Sequence, residues 1–139
     1  VNLDQARAIV AGTLAAGRER GFQPLTVVAL DAGGHVTAVE REDGSSNKRF
    51  EIAHAKAHGA VSLGIGSRAL MARAEAFAPF VTGAIAAVGA LIPVPGGVLV
   101  RSASGELLGA VGVSGDNSDN DEAAALAGIA AAGLVGDPG

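Results

Sequence analysis

The segment Leu107 to Asp116, Leu-Leu-Gly-Ala-Val-Gly-Val-Ser-Gly-Asp, gathers more chemistry-bearing geometry than any other stretch of this 139-residue chain. Its apolar alternation describes a strand ending at Val113, and Ser114-Gly115-Asp116 then turn into a helix beginning at Ser118. A strand running onto a helix N-terminus collects backbone N–H groups and small polar side chains at one point. Such a point suits an anion or the polar edge of a ligand, which makes Ser114 and Asp116 candidate contacts. Asp121 stands three residues after Ser118, the capping-box position, and Asp119 adds favourable first-turn charge. Both acids are therefore read as helix-start residues, and they argue against an anion at that helix end.

His54 and His58 lie four apart on one predicted helix and so share a face, a spacing that can ligate a metal. Ala55 and Lys56 follow His54 where an acid would complete an HExxH pattern, so a dedicated metal site is not expected. A solvated or half-buried histidine is also commonplace on the shoulder of an apolar stripe. Lys56 projects from the opposite shoulder, roughly 160° from His58 on a helical wheel, so the two do not grip one small ligand. It can neutralise a carboxylate or pair with Asp43 or Glu40. The Arg41 fork suits a carboxylate on a ligand, on Asp43 or on another chain, whereas Asp43-Gly44 also reads as an ordinary turn. Pro95-Gly96-Gly97 lets backbone approach something closely, a ligand or a neighbouring chain. It is no phosphate loop, since neither Gly-Lys-Ser/Thr nor a helix follows. Ser114 lacks the second glycine spacing of a nucleophile elbow, so covalent catalysis finds little support, and whether any reaction is catalysed stays open.

The elements that must position these residues are legible in outline. Asn2 and Gln5 form a capping box for a first helix that fades by Gly21. Leu25 to Leu30 and His35 to Arg41 form a hairpin around Asp31-Ala-Gly-Gly34. Asn47 to Gly64 is helical, with Phe50, Ala53, Ala57, Ala60, Val61 and Gly64 on one stripe. Ser67 caps a short helix through Ala76. Phe77 to Val94 reads as a loop with a short strand near Ala84 to Val88. Val98 to Ser102 and Leu107 to Val113 form a second hairpin. The last helix runs from Ser118 to near Gly133, and Asp137-Pro138-Gly139 is a frayed tail. Hairpin-paired strands imply one antiparallel sheet flanked by helices in one domain over residues 1 to 139, an α/β (α+β) class.

Composition narrows the partners. The net charge of −4 and pI near 5.2 exclude nucleic acid and anionic membrane as expected partners. There is no cysteine, hence no disulfide or thiolate chemistry. The longest apolar run, Val81 to Val94, is broken by Thr82, Gly83, Gly89 and Pro93, and no signal-peptide pattern is seen. A cytoplasmic location is expected, with secretion the alternative. Ala84 to Val100 carries no charge, which would leave a monomer with a large apolar patch and predicts a homo-oligomer.

Four motifs in order, Asp31-x-Gly-Gly-His35, Arg41-x-Asp43-Gly44, Pro95-Gly96-Gly97 and Gly109-Ala-Val-Gly-Val-Ser-Gly115 with Asp121, resemble the GlcG/HbpS-like family of small bacterial proteins, from about Leu3 to Ile129. The chain is similar, too, to the C-terminal domain of PduO. Lys56 matches the family's Ala-x-Lys-Ala pattern, while Gly59 stands where the family usually has Thr. The resemblance implies a profilin-like fold of about five strands, an oligomer, and a small-ligand-binding protein whose leading ligand is haem or a related tetrapyrrole. His54 or His58 would ligate the iron, and Arg41 or Lys56 would meet the propionates. It also implies two alternatives: an accessory protein or enzyme for a small hydroxy acid in glycolate- or diol-type catabolism, and an oligomeric scaffold without a ligand.

Overall fold

The computed structural model describes all residues, 1–139. Helix α1 (Leu3–Glu19) begins on the expected box: the Asn2 carboxamide oxygen accepts from Gln5 N–H at 2.8 Å, and the Gln5 side chain accepts from Asn2 N–H at 2.9 Å. Strands β1 (Thr26–Asp31) and β2 (Val36–Arg41) form the first hairpin, and α2 (Arg49–Leu63) follows, closed by Gly64 at φ +70°. Helices α3 (Ser67–Ala76) and α4 (Ala78–Val88) precede the second hairpin, β3 (Gly97–Arg101) and β4 (Leu107–Ser114). Helix α5 (Ser118–Ala131) and a three-residue β5 (Val135–Asp137) end the chain.

One antiparallel sheet runs in the order β2-β1-β4-β3-β5. Strand alternation sends Val27, Ala29, Val98, Val100, Val111 and Val113 to one face, where α1 and α5 cover them. Val28, Leu30, Leu99 and Ala110 point to the other face, where Ala53, Ala57, Ala60 and Val61 of α2 seal them. Both cores are built from small aliphatic residues, so backbones must come close. A Cβ on Gly112 would stand 1.9 Å from Ala53 O, which is why the middle of β4 is glycine under α2.

Three expectations are corrected. Phe77 to Val94 holds helix α4 rather than a loop with a strand. Pro79 ends the continuity of α3 but is tolerated in the first turn of a new helix, which its Ala-rich continuation sustains. Gly66, not Ser67, occupies the cap of α3, and the buried Ser67 hydroxyl accepts from Gly97 N–H at 2.7 Å. The C-terminal tail is not frayed. Val135–Asp137 pairs with β3, Asp137 accepts from Arg101 Nε at 2.9 Å, and Pro138 O accepts from Arg68 N–H. The uncharged stretch also divides differently from expectation: Val98 to Val100 is core, while Ile85 on α4 is exposed, as are Phe77 and Phe80 just before the stretch.

Gly112→Ala is expected to lower unfolding free energy in urea by about 3 kcal/mol or more, since backbone must shift to admit the methyl. Gly83→Ala, mid-helix in α4 with nothing within 4 Å, should instead raise it by about 0.5–1 kcal/mol. Equal effects at both positions would contradict this account of the α2–β4 contact.

Candidate functional site

Lys56 occupies a turn of α2 that faces inward between β4 and the start of α5. Its ammonium donates to Asp121 Oδ2 at 3.0 Å and to Val113 O at 3.0 Å, and both side chains are almost fully buried. Burial pushes the Lys56 ammonium below its ordinary value and the Asp121 carboxyl above its own, while each charge pulls the other back. The second Asp121 oxygen accepts from Asp116 N–H at 2.9 Å. Asp121 is therefore no capping-box residue, and Lys56 pairs with neither Asp43 nor Glu40. Lys56 is also closed to a ligand approaching from solvent. Gly96 and Gly97 share this role: a Cβ on Gly96 would lie 2.9 Å from Lys56 Nζ, and one on Gly97 2.2 Å from Lys56 O. Their missing side chains let α2 and the Lys56 side chain come close.

The turn into α5 is likewise filled by the protein. Asn117 is the cap, accepting from Asn120 N–H, and the Asp116 carboxylate accepts from Gln23 N–H at 2.7 Å, Asn117 N–H at 2.8 Å and Asn120 Nδ2 at 2.8 Å. These bonds hold the Asp116 carboxyl below its usual range. Ser114 is fully buried, and its hydroxyl accepts from Arg49 Nη1 at 3.1 Å. Arg49 was not among the sequence candidates; only its place at the start of α2 opposite the end of β4 reveals it.

The two histidines do share a face. Their rings stack at 5.3 Å between centroids and 25° between planes, and Phe50 adds a third ring 5.9 Å from His54. His58 Nδ1 lies 2.9 Å from Ala90 O, so that nitrogen carries the proton, and its Cδ2–Nε2 edge faces Gly34 in the β1–β2 turn. His54 makes no hydrogen bond. Partial burial and the neighbouring His58 both push its pKa down, which favours the neutral imidazole. Helix α2 covers β1, β4 and β3 and leaves β2 open on that side. Register places Val36 beside Leu30 and Val39 beside Val28, so both valines point to the α2 side, 49% and 37% exposed. Val36 and Val39 thus face the same side of the sheet as Phe50, His54 and His58 on the flank of α2.

Arg41, at the end of β2, lines the concavity where α1 ends against that strand, together with Glu40, Glu42 and Asp43, and donates to Ser45 O at 2.7 Å, not to Asp43. The Asp31-x-Gly-Gly-His35 motif folds its own hairpin: Asp31 accepts from Gly33 and His35 N–H groups at 2.9 Å each. One concavity of about 450 Å³ lies on the other side of the sheet, where α1 ends against β2. Its charged walls are partly self-neutralised by Arg18 and Glu42 at 2.8 Å, and it holds neither His54 nor His58.

The family model for the haem degrading protein HbpS-like matches residues 1–130. The chain belongs to the HbpS-like family. Solved structures agree in fold: a PduOC:heme complex (22% identity, 96% of each chain, TM-score 0.84) and Klebsiella pneumoniae protein ORFY (23% identity, 96% of this chain and 90% of that one, TM-score 0.85). A double mutant of Streptomyces reticuli HbpS is 26% identical over 94% of this chain and 85% of that one, with a TM-score of 0.80. A search of curated proteins finds no significant match. In this HbpS-like chain the departure at Gly59 has a packing reason, since a Cβ there would stand 2.6 Å from Leu91 Cγ. Leu91 fills the space a threonine would need.

Removing one partner of the inner pair leaves a buried charge alone. Lys56→Ala and Asp121→Ala should each lower unfolding free energy by about 3–5 kcal/mol, whereas the double change Lys56→Met with Asp121→Leu should recover much of that loss. Additive losses in the double variant would refute the pairing.

Proposed function

We propose that this chain binds haem or a related tetrapyrrole on the face between α2 and β2, with His54 as the protein ligand to the iron. The observation that carries the reading is the His54 imidazole: half-buried, free of hydrogen bonds and flanked by the rings of Phe50 and His58. His58 serves as the stacking neighbour that holds the ring's orientation, since its Nδ1 is committed to Ala90 O. Val36, Val39 and Phe50 offer the flat apolar contact a macrocycle needs. His54 would hold the iron through its imidazole, and haem would supply a redox-active iron centre there. Membership of the HbpS-like family and the fold shared with a haem complex support the same ligand class.

A haem titration followed by visible absorption tests this. The unaltered protein should give a sharp Soret shift saturating near one haem per chain, lost in His54→Ala and retained, with weaker affinity, in His58→Ala. A broad, non-saturating response shared by all three proteins would sink the assignment.

We also infer self-association through α4. This helix carries no charged residue, buries only Val81, and has Phe77 beside it 64% exposed. Sedimentation at micromolar concentration should give a mass above one chain, reduced by Phe77→Ser with Ile85→Ser; one chain's mass in the unaltered protein would refute it.

A further inference from the structure

We infer that α4 and the face of β2 beside α2 are two halves of one contact, used twice in a two-fold dimer, so that the α4 of each copy closes over the His54 of the other. The inference rests on both readings above: self-association supplies its partner, and the haem reading supplies what lies beneath the helix. The large exposed apolar side chains fall into two patches, Phe77, Phe80 and Ile85 around α4, and Val36 and Val39 on β2. Leu3 and Val135 stand apart, at the starts of α1 and β5. The two patches adjoin. Phe50, His54 and His58 step along α2, and at the end of that row His58 Nδ1 donates to Ala90 O, one residue beyond the Gly89 that closes α4. A two-fold axis passing beside His58 would lay each α4 on the Val36 and Val39 of the other copy.

Charge and area favour this pairing over a contact of α4 with α4. Helix α4 carries no charged residue, and Val36, Val39 and Phe50 carry none either, so the contact desolvates no ion. The other side of the sheet at β2 offers no such surface, since Arg18, Glu40, Arg41, Glu42 and Asp43 line the concavity there. Eleven residues make α4 about 16 Å long, and a strip about 10 Å wide along it has a footprint of roughly 160 Å². A stable interface takes about 800 Å² of accessible surface from each partner, which one α4–α4 contact does not approach. The two-fold exchange doubles the contact, and the flank of α2 adds to it. It also gathers aromatic surface. Of the 4 phenylalanines, Phe22 lines the concavity and Phe50 stands beside His54, so one copy offers a flat ligand a single phenyl ring on this face. Phe77 and Phe80 of the other copy bring two more.

The chain has no cysteine, so introduced thiols report contacts directly. Val39→Cys and Phe80→Cys proteins, treated with a short bis-maleimide, should form covalent dimer when mixed and little when treated singly. Complementation tests the site itself. Haem binding should be weakened in Phe80→Ser, whose own His54 is intact, and lost in His54→Ala, whose own α4 is intact. The two proteins, mixed equally and left to exchange, should regain tight binding at about one site per four chains, in mixed dimers where His54 of one copy meets Phe80 of the other. Coupling of Phe80→Cys to itself as strongly as in the mixture would set α4 against α4: this arrangement falls and self-association stands. One chain's mass for the unaltered protein would remove both. Should the mixture couple while no protein binds haem, the dimer stands and the haem reading falls. No coupling in the mixture, or coupling without regained haem binding, would overturn the partner's part in the site.

Discussion

The Lys56–Asp121 pair is the constraint on which the rest of the architecture turns. It ties α2 to the first turn of α5 across the end of β4, and so joins the two helical layers past the end of the sheet's central strand. Such a pair is costly to desolvate, and its attraction offsets that only with every remaining lone pair and proton placed. The structure goes part of the way: Val113 O accepts a second ammonium proton, and the second carboxylate oxygen accepts from Asp116 N–H. Gly96 and Gly97 exist beside it because any side chain would collide with the lysine. The motifs Pro-Gly-Gly, Ala-x-Lys-Ala and Ser-Gly-Asp with Asp121 are thus one device. They lie far apart in sequence and meet at one buried ion pair.

This device settles where a ligand cannot go and, by exclusion, where chemistry is left exposed. With α2 drawn down onto β4, the helix lies over the sheet's middle and leaves β2 uncovered. The small residues at the contact, Ala53 and Ala57 against Gly112, bring the helix so near that the larger residues on its flank must point outward. Phe50, His54 and His58 are that flank. Close packing in the core and an open aromatic flank at its side are two consequences of one spacing.

How much of this was legible in the sequence depends on range. The capping box at Asn2 and Gln5, both hairpins and the apolar stripe of α2 rest on neighbours in the chain, and they were readable. Asp121 shows the limit. A carboxylate in the first turn of a helix looks the same in sequence whether it caps that helix or meets a lysine 65 residues away. Local propensity offered a sufficient explanation, and tertiary structure supplied another. Helix α4 was hidden by Pro79 and glycine, which weaken helix signals yet are tolerated at a first turn and on an exposed face. β5 is only three residues long, too short for alternation to register, and is held by its pairing with β3. Arg49 carried no signal at all, since its partner is a serine at the end of another strand.

The conspicuous motifs and the chemically open residues therefore separate in space. Glycine-rich turns invite a ligand reading because they permit close approach, but the approaching group can be the protein itself, as Lys56 is at Gly96 and Gly97. Asp116 makes the same point for the start of α5, where its own carboxylate occupies the backbone donors an external anion would seek. A site is better recognised by groups whose bonding capacity is unspent. By that measure His54, with no hydrogen bond, outranks every glycine in the chain.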